Sequence, residues 1–303
     1  MKTTIQVLGL ALALVSAGCG GGRTSAFDEG TTPGGDAPVT AEAQSRHDEL
    51  VTQGDAAFVN RGDRAQLQAA IDAYTQALEA VPGDHATWVK LARAQYFMAY
   101  GHMEFDPALE AETTAMYQSA ITSAERGLAA LSPQFAEQVR STGQFSTGLP
   151  SLDQRAVGLV YWRSSALGRW ARRDGFATVL AYKDEIRASM TRCLELDREY
   201  FFGGPDRYFG AFFAVAPSYA GGDLERSRQH FDYSISRYPG YFGTHVLYAV
   251  EYAVKTQDRE LFTRELQWVI DNDPNMLPDV APENRVEQQK ARDALARADE
   301  LFE

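Results

Sequence analysis

The amino-acid sequence predicts an all-α protein, an irregular array of helix hairpins stacked into an α–α superhelix. Small, aromatic and apolar residues recur at positions i, i+4 and i+7, which share one face of a helix. Most of these sets precede a proline, which the interior of a helix does not accommodate. No segment shows the strong two-residue alternation that is typical of a half-buried strand. We therefore expect helices and no sheet.

The best-defined sets follow the spacing small-x3-aromatic-x2-small-x4-Pro. Small first and third residues let a neighbouring helix approach closely, and the aromatic residue between them fills the gap. This is the second-helix pattern of tetratricopeptide (TPR) repeats, whose usual period is 34 residues. We therefore predict an irregular tetratricopeptide-like domain over residues 41–303. The sets are Ala70-Tyr74-Ala77-Pro82, Ile121-Glu125-Leu128-Pro133, Ile186-Met190-Cys193, Ser227-Phe231-Ser234-Pro239 and Phe262-Leu266-Val269-Pro274.

Other elements of this domain follow from turn and cap signals. Asp223 follows Gly221-Gly222 and is predicted to cap a helix, and the glycine pairs at 203–204 and 221–222 are predicted to form left-handed turns. Pro282 fits the first turn of a closing helix, whose charged face should be solvated like a terminal cap. Residues 132–152 contain two prolines and two glycines and are predicted to be an inserted loop.

The amino terminus resembles the export signal of a bacterial lipoprotein. A short apolar run follows Lys2, is too short to span a bilayer, and ends in Ser16-Ala17-Gly18-Cys19. Residues 1–18 are thus predicted to be a signal peptide, with lipidation at Cys19 after cleavage. The alternative is an ordinary signal peptide with a chance cysteine. Because no Asp follows Cys19, the lipoprotein sorting rule favours the outer over the inner membrane, on the periplasmic side.

Residues 19–40 are rich in Gly, Thr, Ser, Asp and Pro and are predicted to be a flexible tether. The chain carries a formal net charge of −12, so we expect no nucleic-acid partner and no polybasic attachment to a membrane. Cys193 lies in an apolar helical pattern and is predicted to be a buried hydrophobic residue rather than a reactive thiol.

The sequence contains no catalytic motif. It has no nucleophile elbow, no His-Glu-x-x-His and no triad recognisable by spacing. His102, Glu104 and Asp106 could supply part of a metal site, but no second histidine is placed to complete it. We therefore predict a binding protein that is not an enzyme and needs no cofactor or metal.

The second half of the chain resembles one family. The motifs that carry the resemblance are Leu159-Val160-Tyr161-Trp162, Gly168-Arg169-Trp170, the run from Cys193 to Asp197, Tyr200-Phe-Phe-Gly-Gly-Pro-Asp-Arg207, Gly221-Gly222-Asp223, His230-Phe231 and Asp258-Arg259-Glu260-Leu261-Phe262. Over roughly Asp153 to Phe302 they are similar to the TRAP-transporter-associated TPR proteins, often called TatT. The resemblance implies a periplasmic lipoprotein that binds the solute-binding protein of a tripartite ATP-independent transporter. It also implies a homotrimer and an apolar ligand pore.

Candidate ligand- or partner-binding residues lie in the same region. Six aromatic residues between Phe201 and Phe213 cannot all face one narrow core stripe, so some are candidates for a pore or groove; the alternative is that they fill the junction between repeats. Arg207 could pair with a partner's carboxylate or within the chain. The candidates are Tyr161, Trp162, Arg207, Tyr208, Phe209, Phe212 and Phe213. The alternative function is a general lipoprotein scaffold for envelope assembly.

Overall fold

The computed structural model describes residues 23–29 and 38–302, and these two ranges contain helices and no strand. The predicted all-α class is confirmed. Two six-residue π-helical segments, Met98–Met103 after α3 and Tyr248–Ala253 after α11, continue the helices before them. The α-helices are α1 (Ala41–Val59), α2 (Arg64–Ala80), α3 (His85–Phe97), α4 (Glu110–Leu131), α5 (Pro133–Thr142), α6 (Phe145–Gly148), α7 (Val157–Asp174), α8 (Phe176–Leu196), α9 (Tyr200–Val215), α10 (Leu224–Arg237), α11 (Phe242–Leu247), α12 (Val254–Thr256), α13 (Arg259–Asp271), α14 (Ala281–Ala296) and α15 (Ala298–Leu301).

Consecutive helices pack in pairs, α1 with α2, α3 with α4, α7 with α8, α9 with α10, and α13 with α14. Short polar side chains begin several of them by accepting a backbone N–H that the helix leaves unpaired. Asp63 accepts from the amide of Ala65 at 2.8 Å, and the predicted cap Asp223 accepts from that of Arg226 at 3.0 Å. The amino-terminal ends of these helices are therefore set by capping residues that are visible in the sequence.

The predicted i, i+4, i+7 stripes all face the interior. Tyr74, Phe231 and Phe262 are each at most 1% exposed, as are Leu128 and Cys193 in the other two stripes. One large apolar cluster runs from the first helices to α9, and a second covers α10 to α15. The stripes thus hold neighbouring pairs together, as the spacing indicates.

The last long helix closes the array into a ring. Glu283 of α14 accepts from Arg61 at 3.0 and 2.7 Å, and from Arg93 of α3 at 3.2 Å. The polar face of α14 was expected to be solvated, but Glu283 and Glu287 are only 5% and 3% exposed. This expectation is wrong because α14 meets the start of the chain instead of ending an open stack.

The region predicted to be an inserted loop is helical. Ser132 accepts from the amide of Phe135 at 3.2 Å and caps α5, with Pro133 in its first turn. Gly143, with φ of +65°, ends α5, and the short α6 follows. Phe135 and Phe145 are buried in the first apolar cluster. The prediction of a loop is wrong because Pro133 begins a helix here rather than only ending one.

The predicted tether does not hold for residues 23–29, which pack on the body. Ala26–Glu29 forms a 3-10 turn, and Phe27 is 2% exposed between the rings of Phe135 and Phe145. The predicted signal peptide, Cys19 and most of the tether lie outside the described residues. In the ranges described, none of the helices has both the length and the apolar character needed to cross a bilayer.

Candidate functional site in a central cavity

The ring encloses a cavity between α3, α7, α9, α11 and α14. Its inner part has a volume of about 70 Å³ and its mouth about 310 Å³, and both parts are lined by Tyr100, Arg169, Leu247 and Glu287. The mouth is further lined by Phe105, Val246 and Val250. First helices of several pairs therefore line one open cleft, and clefts between the helices of a bundle are common ligand sites.

Aromatic rings form a continuous wall along the inner part. The centroid of Trp162 lies 5.3 Å from that of Tyr96, 5.0 Å from that of Tyr161 and 4.6 Å from that of Phe201. The ring of Phe201 in turn lies 5.5 Å from that of Tyr241. Edge-to-face and tilted pairs of this kind are favourable and fix the orientation of the rings.

Charged side chains interrupt this wall, so this cavity is not lined by apolar residues alone. Cations exceed carboxylates among the lining residues. The buried Nε of Arg93 has no hydrogen-bond acceptor in the part of the chain that the structure describes. Arg93 pairs with Glu283 through its Nη2 at 3.2 Å, so the cation has a counter-charge, but an unpaired buried donor such as Nε is costly. The cations are Arg93, Arg169, Arg172, Arg207 and Lys290, and the carboxylates are Glu104, Glu251, Glu283 and Glu287.

Arg207 has neutral partners at the inner end. Its guanidinium donates to the hydroxyl of Tyr161 at 3.0 Å and to the carbonyls of Phe202 and Phe201 at 3.0 and 3.2 Å. It also lies 4.2 Å from the ring centroid of Tyr241. Hydrogen bonds and a cation–π contact thus replace the carboxylate that usually accompanies a buried arginine.

The carbonyls that Arg207 binds belong to a strained turn. Phe201, Phe202 and Gly203 have φ of 46°, 58° and 68°, all in the left-handed region. Left-handed backbone is rare for bulky residues and costs of the order of 1–3 kcal/mol per residue. The predicted left-handed pair Gly203-Gly204 is therefore only half correct: a Cβ on Gly204 would lie 2.5 Å from the ring of Tyr161, so this glycine serves close packing.

At the mouth, cations share carboxylates. Lys290 Nζ lies 3.5 Å from Glu104 and 3.2 Å from the ring centroid of Tyr100, and Arg169 is also 3.5 Å from Glu104. Burial and the nearby Arg169 lower the pKa of Lys290 to about 8, against the opposing pull of Glu287 and Glu104. The Tyr100 hydroxyl donates to Glu287. Lys290 therefore loses its positive charge, and the mouth one cation, as the pH rises through about 8.

The predicted site residues separate into two places. Tyr161, Trp162 and Arg207 line the central cavity. The last three aromatic candidates instead line a surface groove of about 320 Å³ between α8 and the α9–α10 pair, with Arg187 and Arg226 at its edges. Tyr208 lines neither place: its ring stacks on Phe212 with centroids 6.0 Å apart and packs against the first apolar cluster. The groove is lined by Phe209, Phe212 and Phe213.

Sequence reasoning did not identify most of the cavity's charged residues. Glu283, Glu287 and Lys290 lie on a helix whose charge pattern is typical of a solvated face. Arg207 was a candidate, and Arg169 had a signal because it belongs to the Gly168-Arg169-Trp170 motif. His102, the first residue of the candidate metal site, instead forms a hydrogen bond: its Nε2 lies 2.8 Å from the carbonyl oxygen of Arg61. No group of three or more metal-ligating side chains occurs within residues 23–29 and 38–302.

These features define a helical-hairpin protein whose first helices surround a charged, aromatic cavity. A sequence profile of the family described as TRAP transporter T-component (TAtT) matches residues 102–302. The chain belongs to this family, as the resemblance predicted. The match begins well before Asp153 and includes α4 to α15 as well as the mouth residue Glu104. No curated protein matches the chain.

Proposed function

We propose that this protein is a periplasm-facing lipoprotein accessory of a TRAP-type solute transporter, and that it binds the transporter's extracytoplasmic solute-binding protein through a TPR-like scaffold. The family match over residues 102–302 carries the proposal. The role is binding rather than catalysis. Lipidation at Cys19 would hold it on the membrane, with the outer membrane favoured over the inner, and trimer formation belongs to the same proposal.

The groove beside α9 is the proposed contact for the receptor. It presents aromatic side chains flanked by guanidinium groups, with Arg226 4.0 Å from the ring centroid of Phe213 and Arg187 5.8 Å from that of Phe212. Aromatic and arginine residues are enriched where protein interfaces gain most of their affinity. Tyr219, which is 92% exposed, precedes Gly221 at the end of this groove.

Co-purification with the solute-binding protein of the neighbouring transporter tests this function. We expect the wild type to capture the purified receptor, and Phe212→Asp to weaken binding at least about tenfold, because a buried carboxylate costs more than about 1.4 kcal/mol. Met276→Asp, at an apolar residue that is 45% exposed and outside the groove, is the matched control. Capture of assembly or secretion components in place of the receptor would instead support the general scaffold.

A second proposed function is the binding of a small amphipathic molecule in the central cavity. The mouth combines apolar side chains with Arg169 and Lys290. In the inner part, Arg207 forms no ion pair with any carboxylate of the residues that the structure describes. The proposed ligand is a chain of about ten carbons with one carboxylate, bound in the mouth. Its head would meet Arg169 and Lys290, and its tail would lie against the apolar side chains of the mouth.

Decanoate and decanol are the matched probes for this cavity. We expect decanoate to bind about tenfold more tightly than decanol at pH 7, because a charge-assisted hydrogen bond contributes about 1.5–3 kcal/mol. Lys290 loses its proton as pH rises through about 8, so the affinity for decanoate should fall between pH 7 and 9 while that for decanol stays constant. Calorimetry at both pH values measures this. Equal affinities for the two probes would contradict the charged-head assignment.

A further inference from the structure

Residues 23–29 fit a site on the body that is built for them. Arg23 donates to both oxygens of Glu125 at 2.6 and 2.7 Å. The hydroxyl of Ser25 and the amide of Ala26 donate to the same carboxylate at 3.1 and 2.9 Å. The Glu125 side chain is 0% exposed, so these bonds form in a protected environment where charge-assisted hydrogen bonds are strong.

Glu125 is shared between this segment and the body. Arg163 of α7 donates to Oε1 at 2.9 Å, while Arg23, Ser25 and Ala26 donate to Oε2. Burial alone would raise the pKa of Glu125, but the guanidinium groups of Arg163 and Arg23 outweigh it and lower that pKa. The carboxylate therefore stays ionised and holds the segment at neutral pH.

Phe27 provides the apolar half of the contact. Its ring centroid lies 5.7 Å from that of Phe135 on α5 and 6.1 Å from that of Phe145 on α6. Arg140 of α5 also donates to the carbonyl of Phe27 at 3.3 Å. One ion pair and one inserted ring thus fix the segment against α4, α5 and α6, which we call the docking face.

The docking face lies only a few residues from the proposed lipid anchor. Three glycines separate Cys19 from Arg23, so the two Cα atoms can be at most about 14 Å apart. A free chain from Cys19 to Ala41 would have a typical span of about 25 Å and a maximum of about 75 Å. A folded body of this length has a radius of gyration of about 18 Å. With the segment docked, the free chain between the lipid anchor and the body is therefore shorter than the radius of gyration of the body.

We propose that residues 23–29 orient the protein on the membrane, with the docking face turned toward the lipid bilayer. This inference rests on the lipidation of Cys19 within the proposed function. The orientation comes from the covalent anchor and the docked segment rather than from attraction to lipid charge. Exposed side chains on α5 include Gln134, Glu137 and Arg140, and the last two form an ion pair with each other, which leaves no excess positive charge.

Site-specific fluorescence quenching on vesicles tests the orientation. A nitrobenzoxadiazole probe is placed at Ser141→Cys on α5 or at Thr263→Cys on α13, both exposed positions. Cys193 is 0% exposed and does not compete for the label. The lipidated protein is bound to phosphatidylcholine vesicles that carry a nitroxide on the headgroup. We expect strong quenching at position 141 and weak quenching at position 263, unchanged in 0.5 M salt.

The double variant R23A/F27A supplies the decisive comparison. It leaves the body's own Arg163–Glu125 pair in place and removes the two side chains that hold the segment. We expect it to remain on vesicles but to lose the difference between the two probe positions. Equal quenching of both probes in the wild type, or an unchanged difference in R23A/F27A, would overturn the orientation. Failure of the wild type to float with vesicles would instead overturn the lipid anchor and the orientation with it.

Discussion

Replacing Glu283 with alanine should destabilise the protein by about 3–5 kcal/mol, because it leaves the buried guanidinium of Arg61 and the half-buried one of Arg93 without their shared carboxylate. Glu283 binds Arg61 through two hydrogen bonds and Arg93 through a third, and the side chains of Glu283 and Arg61 are 6% and 5% exposed. Urea titration followed by far-UV circular dichroism should show the midpoint falling by on the order of 1 M.

The matched control for Glu283→Ala is Asp299→Ala. Asp299 pairs with Arg259, and this pair also joins two different helices, but the side chains are 90% and 55% exposed. Exposed ion pairs contribute about 0–1 kcal/mol, so this variant should unfold close to the wild type. If Glu283→Ala unfolds at the same urea concentration as Asp299→Ala, the contact between α14 and the start of the chain does not stabilise the fold.

The Glu283 contacts also show which part of the structure could not be predicted from the sequence. The stripes that pack neighbouring pairs are local, because i, i+4 and i+7 share a face in any α-helix. Closure of the ring is not local: Glu283 and Arg61 are 222 positions apart. A glutamate on a charged helix face looks the same in the sequence whether water or an arginine covers it. The helices and their buried faces could therefore be predicted, whereas the cavity could not.

The structure differs from the sequence prediction at two other places, α5 and the docked segment, for different physical reasons. The signal for α5 was present, since a serine followed by proline is a good start for a helix, but Pro133 was interpreted only as a terminator. The docked segment had a weaker signal: Phe27 is a single aromatic residue in a polar stretch, and its pocket is formed by Phe135 and Phe145, more than a hundred positions away. Composition predicts that such a stretch does not fold alone, yet residues 23–29 dock on a preformed surface.

The second large effect is expected at Arg207. Arg207→Met keeps the apolar stem and removes every donor, so it leaves the carbonyls of Phe201 and Phe202 and the hydroxyl of Tyr161 without this partner. Each unsatisfied buried group costs about 1–3 kcal/mol. The left-handed turn also loses the hydrogen bonds from Arg207 that offset its backbone strain. We expect a loss of about 3–5 kcal/mol in the free energy of unfolding.

Arg207→Lys should not restore this stability. A single ammonium cannot bind two carbonyls and a hydroxyl in one plane, nor stack on Tyr241 as a flat guanidinium does. Arg228→Met is the control, because Arg228 is 49% exposed and pairs with Glu225, three residues earlier on α10. Amide hydrogen exchange should speed up at Phe201–Gly203 in both Arg207 variants and remain at the wild-type rate in the control. Unchanged exchange in Arg207→Met would mean that the aromatic wall alone, through the rings around Phe201, holds the left-handed turn in place.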